Sequence, residues 1–89
     1  MEDTLGLFQE ATHLARDLGY EIREEPLGEL PGGLVTVRGA ARVLLNVERP
    51  VADRLDVLLR ALAADARVAD EPTSRLLAAR LRAVAGRAE

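Results

Sequence analysis

The stretch PGGLVTVRGAARVLLNVERP, from Pro31 to Pro50, constrains the fold more than any other part of the chain. Leu34 to Arg38 and Arg42 to Val47 are rich in β-branched residues and leucine, and each is too short for a stable helix. They flank Gly39-Ala40-Ala41 and read as the two strands of a hairpin. An isolated hairpin is marginal in water, so it needs a further strand and a covering layer.

Two hairpin registers compete. A two-residue turn at Gly39-Ala40 puts glycine first, as a type II′ turn requires. It places Val35 and Val37 on the face opposite Val43, Leu45 and Val47. A three-residue loop over Gly39 to Ala41 puts all five on one face. A one-residue slip exchanges the faces, so the registers exclude each other. Burying an apolar side chain contributes about 1.5–3 kcal/mol, which favours the three-residue loop.

The rest of the chain supplies the missing parts. Tyr20 to Glu24 alternates apolar and polar residues and predicts a third strand with one wet face. Glu25 to Gly33 holds two prolines and three glycines and reads as a loop. Leu7, Ala11, Leu14, Ala15 and Leu18, with Phe8 beside them, predict a helix over 4–18. Asp3 or Thr4 caps it and Gly19 ends it. Pro50 suits the first position of a helix over 50–64, with a stripe of Val51, Leu55, Leu58, Leu59 and Leu62. Asp65 to Glu71 is irregular. A last helix over 72–86 turns Leu76, Leu77, Leu81, Val84 and Ala85 inward.

The predicted order is α-β-β-β-α-α, a single α+β domain over residues 1–89. It consists of a small three-stranded antiparallel sheet, a meander, packed against three helices. A chain of this length buries roughly 60–65% of its unfolded surface, so dimerisation would add a needed interface.

Composition narrows the function. There is no cysteine, which removes disulfides and thiolate metal sites. There is no apolar run of about 18 residues and no basic-then-apolar leader, so a soluble cytoplasmic protein without a membrane is expected. All twelve basic residues are arginine, and Asn, Gln and Met occur once each. Few thermolabile residues fit a heat-tolerant source, and a G+C-rich genome explains the same bias. The net charge of -3 gives no general attraction to nucleic acid, but it is unevenly spread. Residues 1–30 are acidic on balance and residues 31–89 basic.

Candidate chemistry is sparse. His13 is the only histidine, and its neighbours Glu10 and Asp17 offer no more than an adventitious metal site. The glycines form neither a Walker A loop, which needs lysine, nor a G-x-G-x-x-G turn. Thr73 and Ser74 suit the cap of the last helix. Glu24, Glu25 and Glu29 with Arg38 or Arg42 form the one constellation that suits a zwitterionic small ligand or a basic partner. Arg75, Arg80, Arg82 and Arg87 make two rows on the last helix, flanking its leucine stripe. They suit arginine stems covering an apolar seam. Nucleic acid through these four is the weaker reading, because single-strand binding wants exposed aromatics and only Phe8 and Tyr20 exist.

The order of helix, LGYEI strand, GGLVTV–RGAA–RVLLN hairpin, proline and leucine-rich helix resembles the metal-binding half of ImmA/IrrE-type metallopeptidases. The likeness spans about residues 5–65. It rests on RVLLN, Arg42 to Asn46, and on the spacing to LDVLLRALAAD, Leu55 to Asp65. In that family the helix carries H-E-x-x-H, whose histidines grip zinc while the glutamate takes a proton from water. The matching positions here are Arg60, Ala61 and Ala64, which do neither. The resemblance therefore implies the scaffold without its chemistry, kept for its surface. The hairpin also resembles that of small bacterial proteins, a likeness that implies no activity.

The expectation is a non-enzymatic protein-interaction module with no cofactor and no metal, which self-associates as a homodimer. Its candidate interface is Val57, Arg60 and Ala61 on the middle helix with Arg75, Arg80, Arg82 and Arg87 on the last. The alternatives are a small-ligand binder or metal-independent enzyme using the acidic loop and hairpin arginines, and then nucleic-acid binding.

Overall fold

The computed structural model describes residues 3–86. Helix α1 spans Thr4–Asp17, and the Asp3 side chain accepts a hydrogen bond from the Gly6 amide at 2.8 Å. Leu7, Phe8, Ala11, Leu14 and Ala15 form its buried stripe. Gly19, with φ 97°, turns the chain out of the helix, where a residue with a Cβ would be strained. Strands follow at Glu21–Glu25 (β1), Gly32–Val37 (β2) and Ala40–Asn46 (β3). Helix α2 spans Val51–Ala63, with Pro50 just outside it as the cap. A short 3-10 turn at Ala66–Asp70 occupies the segment expected to be irregular. Helix α3 spans Arg75–Gly86, starting after Pro72 rather than at it.

The predicted α+β class holds, but the sheet is mixed and not a meander. Its order is β1-β3-β2, with β1 parallel and β2 antiparallel to β3. The most apolar strand thereby takes the centre, and its Val43 and Leu45 are wholly buried. The chain between β1 and β2, residues 26–31, has to cross the C-terminal end of β3. Asn46, the last residue of β3, holds it there.

The hairpin register also differs from the expected one. Val37 pairs with Ala40, Val35 with Arg42 and Leu34 with Val43, so the loop is only Arg38-Gly39. Both loop residues have positive φ, 52° and 84°. That is the requirement of a type I′ turn, whose twist matches that of the paired strands. Val35 and Val37 therefore lie on the face opposite Val43 and Leu45, and both remain exposed. Val47 falls outside the strand and is exposed as well. One helical layer could have covered all five in the three-residue register, but the Arg38-Gly39 turn leaves Val35 and Val37 on the face that the helices do not cover.

The layers are sheet, then α1 with α2, then α3. Helix α1 packs on β1, and α2 packs on β2 and β3. Helix α3 packs on α2 and α1 and touches no strand among the described residues. The core centres on Leu55, Leu58, Leu59 and Leu62 of α2, between Val43 and Leu45 on one side and Leu77 on the other. Leu77, Leu81 and Val84 face inward on α3 as expected, whereas Leu76 and Ala85 are exposed. No described helix is long and apolar enough to cross a membrane.

Candidate interaction edge

Strand β2 is an edge strand with no charged residue, no proline and no bulge from Gly32 to Val37. Such features normally guard an edge against pairing with another chain. The other edge, β1, reads EIREE and is guarded by charge. Its Glu25 pairs with Arg23 at 3.0 Å, and its Glu21 pairs with Arg42.

Pairing alternates along an antiparallel ladder. A two-residue loop closes on a hydrogen-bonded pair, here Val37 with Ala40. Val35 and Gly33 then also bond to β3, while Leu34 and Thr36 point their N–H and C=O groups out of the sheet. No strand meets these outward groups among the described residues. Apolar side chains accompany them, with Leu34 47%, Val35 38% and Val37 38% exposed.

Two recesses border this strand, and a third lies beside Pro31, just before it. One, of about 230 Å³, lies between Gly32–Leu34 of β2 and Val57, Arg60, Ala61 and Ala64 of α2. This volume falls below the roughly 300–1,000 Å³ of small-molecule sites and suits a side chain better than a metabolite. A second lies against the outer face of the sheet, between Leu27, Leu30, Val35 and Leu44. The third is lined by Arg49, Asp53, Asp56 and Arg60. Arg60 pairs with Asp56 at 3.0 Å, and Arg49 donates to the Glu29 carbonyl at 2.8 Å. Asp53 has no ion pair among the described residues.

Gly32 shapes the junction of these recesses. Its φ is 96°, and a Cβ there would stand 2.2 Å from the Leu44 carbonyl oxygen. Only glycine lets the backbone pass that close.

The sequence-predicted residues divide into those the fold gathers and those it separates. Val57, Arg60 and Ala61 line the recess beside β2. Ala64 lines that same recess. Arg75 and Arg82 stand exposed on α3, and Arg80 is half-buried there. Arg87 lies outside the described residues.

The five residues of the expected ligand site do not converge. Glu24 and Glu25 sit at the C-terminal end of β1, beside Leu45 and Asn46. Arg38 is at the hairpin loop, at the opposite end of the sheet. Arg42 is held by Glu21 on the outer face. Glu29 lies in the connection before β2, and none of the five lines the recesses beside that strand.

Other candidates serve the fold. His13 is exposed, with Nε2 3.6 Å from Asp17. The Ser74 hydroxyl donates to Glu10 at 2.7 Å and accepts from the Leu77 amide at 3.1 Å, capping α3 and tying it to α1. No group of three or more His, Cys, Asp or Glu among the described residues is placed to hold a metal ion.

Reading the sequence alone misses Leu34, Val35, Val37 and Asp53 as surface determinants. The available signal was the uncharged β2 segment itself, which reads equally well as a central strand. In comparisons with family models, curated proteins and solved structures, the chain matches none of them.

Proposed function

We propose that this chain is a non-enzymatic protein-interaction module that self-associates as a homodimer. One observation carries the reading: β2 is an uncharged edge strand whose outward backbone groups meet no strand among the described residues and whose Leu34, Val35 and Val37 are exposed. Small size supports it, because a domain this short gains proportionally more from an added interface. Val57 and Ala61, expected at the interface, border the same edge.

The alternatives have less support. A ligand site built on Glu24, Glu25, Glu29, Arg38 and Arg42 would need groups that stand at opposite ends of the sheet to converge. Nucleic-acid binding through α3 would want aromatic platforms, and Phe8 and Tyr20 are both buried.

Light scattering on a sizing column tests the reading at micromolar concentration. The expected mass is twice 9.6 kDa. A mass of 9.6 kDa throughout the micromolar range overturns it.

A further inference from the structure

We propose that two copies of this chain pair antiparallel through their β2 edges, about a two-fold axis at Val35, with Arg38 of each copy set against Asp53 of the other. The inference rests on the self-association proposed above and deepens it by assigning the surface and the register.

The choice of edge follows from charge. Four of the five residues in β1 are charged, and two of them are engaged with Arg23 or Arg42. A second β1 laid against it would oppose glutamates. Strand β2 carries no charge and exposes its apolar side chains.

The register follows from the backbone. A two-fold axis between antiparallel edge strands stands perpendicular to the sheet, so directly opposed residues share a face. The new hydrogen bonds must come from residues whose groups point outward, which restricts them to even positions. Centring on Leu34 would require Gly32 to bond with Thr36, but Gly32 at φ 96° is not extended. Centring on Thr36 would require Arg38 to bond with Leu34, but Arg38 at φ 52° belongs to the turn. Centring on Val35 uses Leu34 and Thr36 alone. Each exchanges both bonds with its counterpart, Leu34 with Thr36 of the second copy and Thr36 with Leu34.

The side chains agree with this register. Val35 meets Val35 of the second copy at the closely spaced, non-hydrogen-bonded position. Val37 lies opposite Gly33 of the second copy, where no side chain competes for space. Both pairs fall on the outer face, which the helices leave bare. The two sheets become one of six strands, with the helices of both copies on the same side.

The charges agree too. Arg38 of one copy falls opposite Gly32 of the other, next to Pro31 and the recess that Asp53 lines. Asp53 is the acid there without an ion pair among the described residues. The two Arg38 residues stand about 20 Å apart along the strands, beyond the screening length of about 8 Å, so they do not repel.

Because the chain has no cysteine, disulfide trapping gives a clean test. Val35→Cys places two thiols across the axis at a spacing a disulfide can span. Val37→Cys places them roughly 14 Å apart. With oxidised glutathione, Val35→Cys is expected to form the covalent dimer at least tenfold faster than Val37→Cys.

In parallel, Thr36→Pro removes an outward N–H while leaving the hairpin's own bonds in place. It is expected to raise the dimer Kd at least tenfold, whereas Thr36→Val does not. Arg38→Asp is expected to weaken the dimer roughly fivefold, and adding Asp53→Arg to restore it. Equal trapping at positions 35 and 37, or a Thr36→Pro dimer of unchanged affinity, overturns the edge pairing and leaves self-association standing. A wild-type chain that stays monomeric overturns both.

Discussion

The Tyr20 hydroxyl donates a 2.7 Å hydrogen bond to Asp65, joining the start of β1 to the end of α2. The same carboxylate accepts the Arg67 backbone amide at 2.9 Å and the Arg67 guanidinium at 2.7 Å. That guanidinium lies over the Tyr20 ring, 5.9 Å from its centre. One acidic side chain thus caps the 3-10 turn and fastens it to the sheet.

Removing either partner of this contact is expected to destabilise the fold by unequal amounts. Tyr20→Phe deletes one hydrogen bond and costs about 1 kcal/mol. Asp65→Ala also uncaps the turn and leaves the Tyr20 hydroxyl without its acceptor, and costs about 2 kcal/mol. Urea unfolding of the two variants checks the order. The hydrogen bonds from Arg67, and then that from Tyr20, hold the Asp65 carboxyl well below the usual carboxylate range. A carboxylate whose native pKa is lowered contributes stability that is fully present above its unfolded value, about 3.9. That contribution falls as pH drops toward the native value. The stability gap between wild type and Asp65→Asn should therefore be largest near pH 6 and shrink steadily toward pH 2.

Tyr20 itself gives a second reading of the contact. Burial, and next the hydrogen bond to Asp65, push its hydroxyl above the ordinary value of 10.0. It is the only tyrosine, so absorbance near 295 nm would follow this group alone. The expected midpoint lies above 10.0 and moves down in Asp65→Asn, where the acceptor charge is gone. A raised native pKa also means that the group's contribution to stability is present below about 10 and lost as pH rises through the native value. Stability to urea should therefore decline across the absorbance change. An unshifted midpoint in both proteins would remove Asp65 as a cause.

Asn46 is the one buried polar side chain described in the core, and all four of its hydrogen-bonding positions are used. Its Nδ2 donates to the carbonyls of Gly28 at 2.9 Å and Leu30 at 2.8 Å. Its Oδ1 accepts from the amides of Leu27 at 3.1 Å and Glu48 at 3.0 Å. Asn46→Asp keeps the shape but turns an acceptor toward two carbonyls. It is expected to cost about 2–4 kcal/mol at neutral pH. Part of the loss should return in acid, since a protonated carboxyl donates one bond. Hydrogen exchange at the Leu27 and Gly28 amides should accelerate in the variant, because residues 26–31 lose their anchor over β3.

What could be read from sequence and what could not separate along physical lines. The helices were readable because each carries a long apolar stripe, and Leu7, Leu55 and Leu77 face the core as their spacing requires. The hairpin's existence was readable from composition. Its register was not, because Val35 and Val37 could join either face and the fold supplies a helical layer on one face only. The parallel pairing of β1 with β3 leaves no local trace, since it depends on where residues 26–31 cross. Asn46 appeared as a strand-terminal asparagine without any sign of the four bonds it makes. The uncharged β2 pattern is the same for a central and an edge strand, and only the observed strand order distinguishes them.

Arg38 combines a local cost with a proposed role, and the two can be measured separately. A non-glycine residue at φ 52° is strained by roughly 1 kcal/mol, and asparagine relieves part of that strain. Arg38→Asn would create Asn-Gly, the pair that type I′ turns prefer. At concentrations low enough to keep the chain monomeric, this variant is expected to be more stable than wild type by about 0.5–1 kcal/mol. At higher concentrations it is expected to dimerise less well, because the charge facing Asp53 of the second copy is gone. Thermal melts over a dilution series would show the two curves crossing. If the variant gains stability at every concentration and its dimer Kd is unchanged, Arg38 serves the turn alone and its partner on the second copy must be sought elsewhere.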